Sequence, residues 1–470
     1  MGVLNNLKPE RVFYYFEEIC KIPHGSGDTS KISDFCERFA IEHKLDYVRE
    51  EIGNVIIKKS ATVGKEDSLP VIIQGHLDMV CEKNPYVVFD FYNDSIEVNT
   101  DGEFVFANGT TLGGDDGIAV AMALAILESD DIAHPALEVL FTVDEETGMY
   151  GAGALDGSLF RGSRLINIDS EEEGIFTVSC AGGVRAELTV PVIFEDNSMP
   201  CYKITIDGLQ GGHSGVEIHK GRLNANKVAA SLLLDLGDVR IVSINGGLKD
   251  NAIPAHSQII VATEMDIENA ASEFAEKNRI ETDNNLSISV VKTNTYDKAM
   301  SFNSSKKVAD FLHNVPNGII KWSDDIEGLV ETSLNLGVLK TEENCISASF
   351  ALRSSVNAEK MALLDKLEAF VKNFDGEIFS EAHYPAWEYK KDSFLRDTMV
   401  KVYEEMYGDK PQVVAIHAGL ECGLLSEKID GLDAVSIGPN MMDIHTPREK
   451  ISVASVERVY KYLLRLLEVL

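Results

Sequence analysis

Apolar residues recur with helical spacing from Pro9 to Cys20. Val12, Phe13, Phe16, Ile19 and Cys20 fall on one side, behind a proline suited to a first turn. A short apolar run at Leu69–Ile73 predicts a buried strand, and Leu137–Val143 and Arg164–Ile168 predict a second and a third. The small, apolar stretch Ile118–Leu127 predicts a buried helix. Strands alternating with helices predict an α/β layer with a mostly parallel mixed sheet flanked by helices.

The texture changes after Cys180-Ala-Gly-Gly. Ala186–Val192 and Tyr202–Asp207 alternate as half-buried strands do, and Ile259–Met265, Leu286–Val291 and Ile346–Arg353 add further strands. Asn224–Leu236 and Ala358–Asn373 read as helices among them. This predicts an α+β domain of about 200 residues, an ordinary domain size. The first texture then returns, with strands at Val413–Ile416 and Ala434–Ile437 and a closing helix at Val453–Leu470. The expected organisation is a split first domain, 1–184 and 385–470, with 185–384 inserted into it.

Composition narrows the partners. Lys and Arg number 43 against 76 Asp and Glu, a formal charge of −33, which repels nucleic acid and anionic membranes. The longest apolar stretch, Gly117 to Leu127, falls short of the roughly 20 residues that span a bilayer. The N-terminal segment has no basic region leading into an apolar one, so no secretory signal is expected. The seven cysteines are irregularly spaced with no C-x-x-C, which predicts reduced thiols and a cytoplasmic protein.

Three predicted strands each run into an acid or a histidine: Gln74-Gly-His76-Leu-Asp78, Val143-Asp-Glu145-Glu146, and Asn167-Ile-Asp169. Ligands of open α/β sheets bind outside the carboxyl ends of the strands, so these residues can converge. His76 and Asp78, two apart, point the same way in extended backbone, and imidazole with carboxylate is a zinc-type donor set. Glu145 and Glu146, being adjacent, should diverge, one binding metal and the other free as a base. The Gly-rich loop Gly109–Gly117 lacks the Gly-Lys-Ser/Thr of a phosphate loop. Its Asp115-Asp116 pair would repel a phosphate and suits metal at a helix start. Taken alone, His445 is an ordinary loop histidine and His213, in Gly211-Gly-His-Ser-Gly215, an ordinary surface one. H-E-x-x-H and G-x-S-x-G are absent.

The ordered segments QGHLDMV, GTTLGGDDG, DEETGMYGA, NIDSEEEG, CAGG, GGHSGVEIHKG, NAIP, ETSLN, IHAGLECG and SIGPN closely resemble one family. It is the aminoacyl-histidine dipeptidases, or cytosolic non-specific dipeptidases, within the zinc exopeptidases that include aminoacylases and carnosinases. The resemblance runs from about Ile22 almost to the C-terminus. It implies a zinc-bearing α/β catalytic domain with an inserted α+β lid or dimerisation domain. It further implies two divalent ions per chain, zinc by default with Mn or Co able to substitute. One ion would be held by His76, Asp115 and Asp169, the other by Asp115, Glu146 and His445. By the same resemblance Glu145 is the general base, Asp78 orients His76, His213 stabilises the oxyanion, and Arg353 and Asn251 hold the substrate. Met442-Asp443-Ile444 precede His445 where the family pattern carries Gly-Pro, a departure that touches the loop and not the ligand.

The implied activity is metal-dependent hydrolysis of dipeptides, carnosine-like Xaa-His substrates included, by a homodimer. Another amide hydrolase on the same scaffold, a tripeptidase, aminoacylase or deacylase, would carry the same zinc ligands and differ in its pocket. A binding protein that kept only the fold would have lost Glu145 or a ligand, and all are present. A metal-free acidic scaffold is separated from these by a metal assay.

Overall fold

The computed structural model describes residues 2–470, which divide into two compact units. The first comprises residues 2–179, Tyr389–Ala415 and Leu420–Leu470, and the second Cys180–Glu388 with Ile416–Gly419.

The first unit is built on an eight-stranded mixed sheet. Its order is Asp46–Arg49, Val55–Lys59, Leu137–Thr142, Val71–His76, Arg164–Asn167, Asp433–Ser436, Ile175–Cys180 and Gln412–Ile416. The four central strands are parallel, with Val71 level with both Leu137 and Arg164, and Asp433 level with Arg164. Val71–His76 and Leu137–Thr142 are buried along their whole length, which is why apolar residues dominate both without alternating. Parallel alignment puts His76, the segment after Thr142 and the segment after Asn167 at the same edge.

Helices supply the cover. Every residue of Ile118–Leu127 is buried, and each large apolar side chain there stabilises the fold by about 1.5–3 kcal/mol. The helix Glu10–Cys20 packs against this buried helix and buries Val12, Phe13, Phe16, Ile19 and Cys20. Val453–Val469 buries Val456, Val459, Leu463, Leu466 and Leu467 in the same core, with the Ser452 side chain accepting from Ser455 N at its start.

The second unit carries a nine-stranded antiparallel sheet. In Cys201–Asp207, Ile204 and Ile206 are buried while Lys203 and Asp207 are exposed, as expected of a sheet with one well-covered face. Helices Ala225–Leu236, Phe302–Asn314 and Asn357–Lys372 share its core. Among the described residues, no helix is long and apolar enough to cross a membrane.

Candidate metal centre

At the carboxyl edge of the parallel strands the first unit gathers two histidines and a group of carboxylates. His76 ends its strand, and its Nδ1 lies 3.0 Å from the Asp78 carbonyl oxygen, to which it donates. That bond leaves Nε2 facing Asp115 Oδ1 at 3.1 Å and Asp169 Oδ1 at 3.6 Å. His445 Nε2 lies 3.0 Å from Asp115 Oδ2 and 2.8 Å from Glu146 Oε1. The approach to Glu146 lacks hydrogen-bond geometry, so that buried oxygen has no hydrogen-bond partner. Each ring nitrogen therefore faces two oxygens, an arrangement one N–H cannot satisfy. Donor atoms of Asp115, Glu146 and His445 lie within 4.8 Å of one another, as do those of His76, Asp116 and Asp169, and of His76, Glu145 and Glu146.

The electrostatics point the same way. Burial lowers the His76 pKa, but Asp115, Asp169 and Asp78 outweigh it and leave it well above 6.5. Asp115 and Glu146 push His445 up to about 10. Burial alone would raise Asp115, and the two histidines hold it below the usual range. Burial pushes Glu145 up to about 9, with Asp169, Glu421 and Glu146 adding to the rise. Burial likewise raises Asp116 and Asp169, with help from neighbouring acids. The only ion pairs Asp78, Asp115, Glu146 and Asp169 make among the described residues are with histidines. A site with this surplus of anionic oxygen and two oriented imidazoles fits divalent cations, and no lysine or arginine competes.

Local structure holds these groups. Asp115 and Asp116 begin the buried helix with non-helical dihedrals. Asp116 Oδ2 accepts from His76 N at 3.1 Å. A Cβ on Gly75 would sit 2.6 Å from that oxygen, so only glycine lets the helix start approach the strand. Asp78 acts chiefly on the neighbouring loop: its Oδ1 accepts from Glu145 N at 3.0 Å and its Oδ2 from Glu146 N at 3.2 Å and Ser26 Oγ at 2.8 Å. Its carboxylate stays 3.5 Å from His76 Nδ1, and the main-chain carbonyl receives the ring N–H. Glu145 and Glu146 do not diverge as extended neighbours would. Asp144 has a positive φ of 55°, the chain turns there, and both carboxylates reach the His76 group.

Three supporting residues escaped the sequence reading. Glu449 is buried and accepts from the backbone N–H groups of Leu112, Gly113, Gly114 and Asp115 at 2.7–3.3 Å, capping the loop that carries Asp115. Glu421 is fully buried, and its Oε2 accepts from Gln74 Nε2 at 2.6 Å and Thr142 Oγ1 at 2.7 Å. Gln74 Oε1 in turn accepts from Asn167 Nδ2 at 2.5 Å, tying together the three strands that lead to the cluster. Gln74 carried a signal, being two residues before His76 on a buried strand; Glu421 and Glu449 carried none beyond their acidity.

His213, Asn251 and Arg353 lie in the second unit. His213 Nδ1 accepts from Gly215 N at 3.1 Å and Val216 N at 3.2 Å, which puts the neutral ring's proton on Nε2. Burial, then Arg353, lowers the His213 pKa. Asn251 is exposed on the neighbouring strand connection, its carbonyl accepting from Ser214 N at 2.8 Å. Arg353 donates to Tyr384 Oη at 2.9 Å, and its Nε is buried without a partner. His417 Nε2 lies 2.7 Å from Ser333 Oγ, and burial with Arg353 lowers its pKa to about 3.

Known proteins resemble the chain along nearly its whole length. The cytosol non-specific dipeptidase of Escherichia coli (strain K12) is 36% identical over 482 aligned positions, covering 100% of this chain and 99% of that protein. The crystal structure of aminoacylhistidine dipeptidase from Vibrio alginolyticus superposes with a TM-score of 0.95 at 35% identity, covering 100% and 98% of the two chains. Aminopeptidase PepT from Bacillus cereus shares the fold, with a TM-score of 0.57 at 17% identity over 98% of each chain. Residues 72–469 match the family described as Peptidase family M20/M25/M40, and the chain belongs to that family.

Proposed function

We propose that the chain is a divalent-metal-dependent dipeptidase whose reacting centre is the cluster of acids and histidines in the first unit. One observation carries the reading: His76 Nε2 and His445 Nε2 each face two carboxylate oxygens with Asp115 common to both. Family membership supplies the reaction class, and the two dipeptidases that align over essentially the whole chain supply the substrate class.

His76, Asp115 and Asp169 would hold one ion, and Asp115, Glu146 and His445 the other. Zinc suits this donor set best, with Mn or Co as alternatives. Such ions, when bound, polarise a carbonyl and lower the pKa of a nearby water. Glu145 moves the proton: with cations offsetting the burial and neighbouring acids that raise its pKa, its carboxylate would accept one from the attacking water and deliver it to the departing amine nitrogen. Asp78 fixes the backbone of Glu145 and Glu146 and, through its carbonyl, the His76 ring. His213 donates from Nε2 to the oxygen that gains negative charge. Arg353, with Asn251, takes the substrate's α-carboxylate. In this reading 1–184 and 385–470 form the catalytic domain, 185–384 serves as lid and dimerisation domain, and the chain works as a cytoplasmic homodimer.

The test is hydrolysis of a dipeptide panel by chelator-stripped protein reloaded with zinc or manganese. Turnover should vanish on stripping and return on loading. Turnover indifferent to the chelator, or confined to tripeptides or N-acyl amino acids, contradicts the reading.

A further inference from the structure

A cavity of about 460 Å³ opens in the first unit, and every residue lining it belongs to that unit. Met79, Val80, Phe89, Phe91 and Tyr92 form an apolar wall, and Glu146 and Thr147 are among the polar residues that also line it. The cavity therefore borders the candidate metal centre through Glu146.

The wall is an ordered surface. Phe89 and Phe91 meet edge to face at 4.8 Å, and both pack against the main core. Their loop is pinned by an acid turn: Asp90 accepts from Tyr92 N at 3.0 Å and Asn93 Nδ2 at 2.8 Å. Two lysines hold it from outside, Lys83 donating to the Phe89 carbonyl at 2.6 Å and Lys31 to that of Tyr92 at 2.7 Å.

Charge decides which end of a peptide fits here. The ionisable carboxyl groups lining the cavity are Asp28, Asp90 and Glu146, and no lysine, arginine or histidine lines it. Lys31 lies 3.8 Å from Asp28 and Glu146 is assigned to the metal centre, so what the lining decides is that it offers a substrate carboxylate no cation, and that carboxylate is proposed to meet Arg353 instead. An apolar wall rewards apolar surface on the substrate's other residue, each buried methylene adding binding energy. We propose that this cavity receives the side chain of the substrate's N-terminal residue and selects dipeptides that begin with a large apolar residue.

The inference rests on the dipeptidase reading, and one experiment separates the two. kcat/KM is measured on the zinc-loaded enzyme for leucyl-glycine, phenylalanyl-glycine and glycyl-glycine, which differ only at the first residue. The wild-type enzyme should favour the first two over glycyl-glycine by about tenfold or more, the range an apolar pocket provides. Phe91→Ala, which removes wall, and Val80→Trp, which fills the cavity, should each shrink that ratio severalfold. A wild-type enzyme indifferent to the first side chain, or favouring glycine, overturns the inference and leaves the dipeptidase reading standing. Variants that fold and lower all three substrates equally also overturn it. Absence of turnover for every dipeptide overturns both. The wild-type ratio decides even if a variant fails to fold.

Discussion

The two units use histidine in opposite ways. In the first, His76 and His445 face carboxylates, and their pKa values are raised. In the second, His213 and His417 sit near Arg353, and burial lowers both. The same side chain thus faces acids in one unit and is held neutral beside a guanidinium in the other, according to the charges around it.

The contrast can be broken from either side. Outside the loop of Glu145 and Glu146, the largest effect is expected at Arg353 of the second unit. Arg353→Ala removes the guanidinium proposed to meet the substrate carboxylate, and a charge-assisted contact is worth about 1.5–3 kcal/mol. kcat/KM for a dipeptide should fall about a hundredfold, chiefly through KM, while the amide of the same dipeptide should lose little. An equal loss on both substrates would remove Arg353 from carboxylate recognition.

A smaller effect is expected where the first unit's loop is capped. Glu449→Ala strips acceptors from up to four backbone N–H groups at 112–115. Stability should drop by about 2 kcal/mol, the upper range for a lost cap, read by urea denaturation of the metal-free protein. An unchanged midpoint would mean that water replaces the carboxylate without cost.

The smallest effect concerns Glu421. Burial raises its pKa from 4.5 to about 7, so the folded protein keeps a proton that the unfolded chain releases. Its contribution to stability is full below about pH 4.5 and is lost as pH rises through about 7. Glu421→Gln should therefore gain on the wild type with rising pH, by on the order of 1 kcal/mol between pH 5 and pH 6. Parallel pH profiles for the metal-free proteins would contradict this.

Much of the first unit was legible because its strands are buried on both faces and end in chemistry. Leu69–Ile73 and Leu137–Val143 announced themselves as strands, and the acids after them read as strand-end residues. The second unit was legible as alternation, as at Tyr202–Asp207. What periodicity could not reach was anything set by turns or by distant chain. The Glu145–Glu146 pair was expected to diverge, yet the turn at Asp144 ends the strand's alternation first. Glu449 acts on residues 112–115 from more than three hundred positions away, and Glu421 joins Gln74 and Thr142 in the same manner. The Asp78 contact was half legible: spacing placed it beside His76, but the ring N–H goes to its backbone and its carboxylate goes to the loop.

The most direct test of the account compares neighbours in that loop. Zinc stoichiometry and dipeptide turnover are measured together on Glu145→Gln and Glu146→Gln. Loss of a positioned base should lower the turnover of Glu145→Gln by roughly 10²–10⁴-fold with bound zinc unchanged. Loss of a charged ligand should weaken zinc binding in Glu146→Gln, with excess zinc restoring part of its turnover. If Glu145→Gln loses zinc while Glu146→Gln keeps it, the two roles are reversed and the account of the centre is wrong.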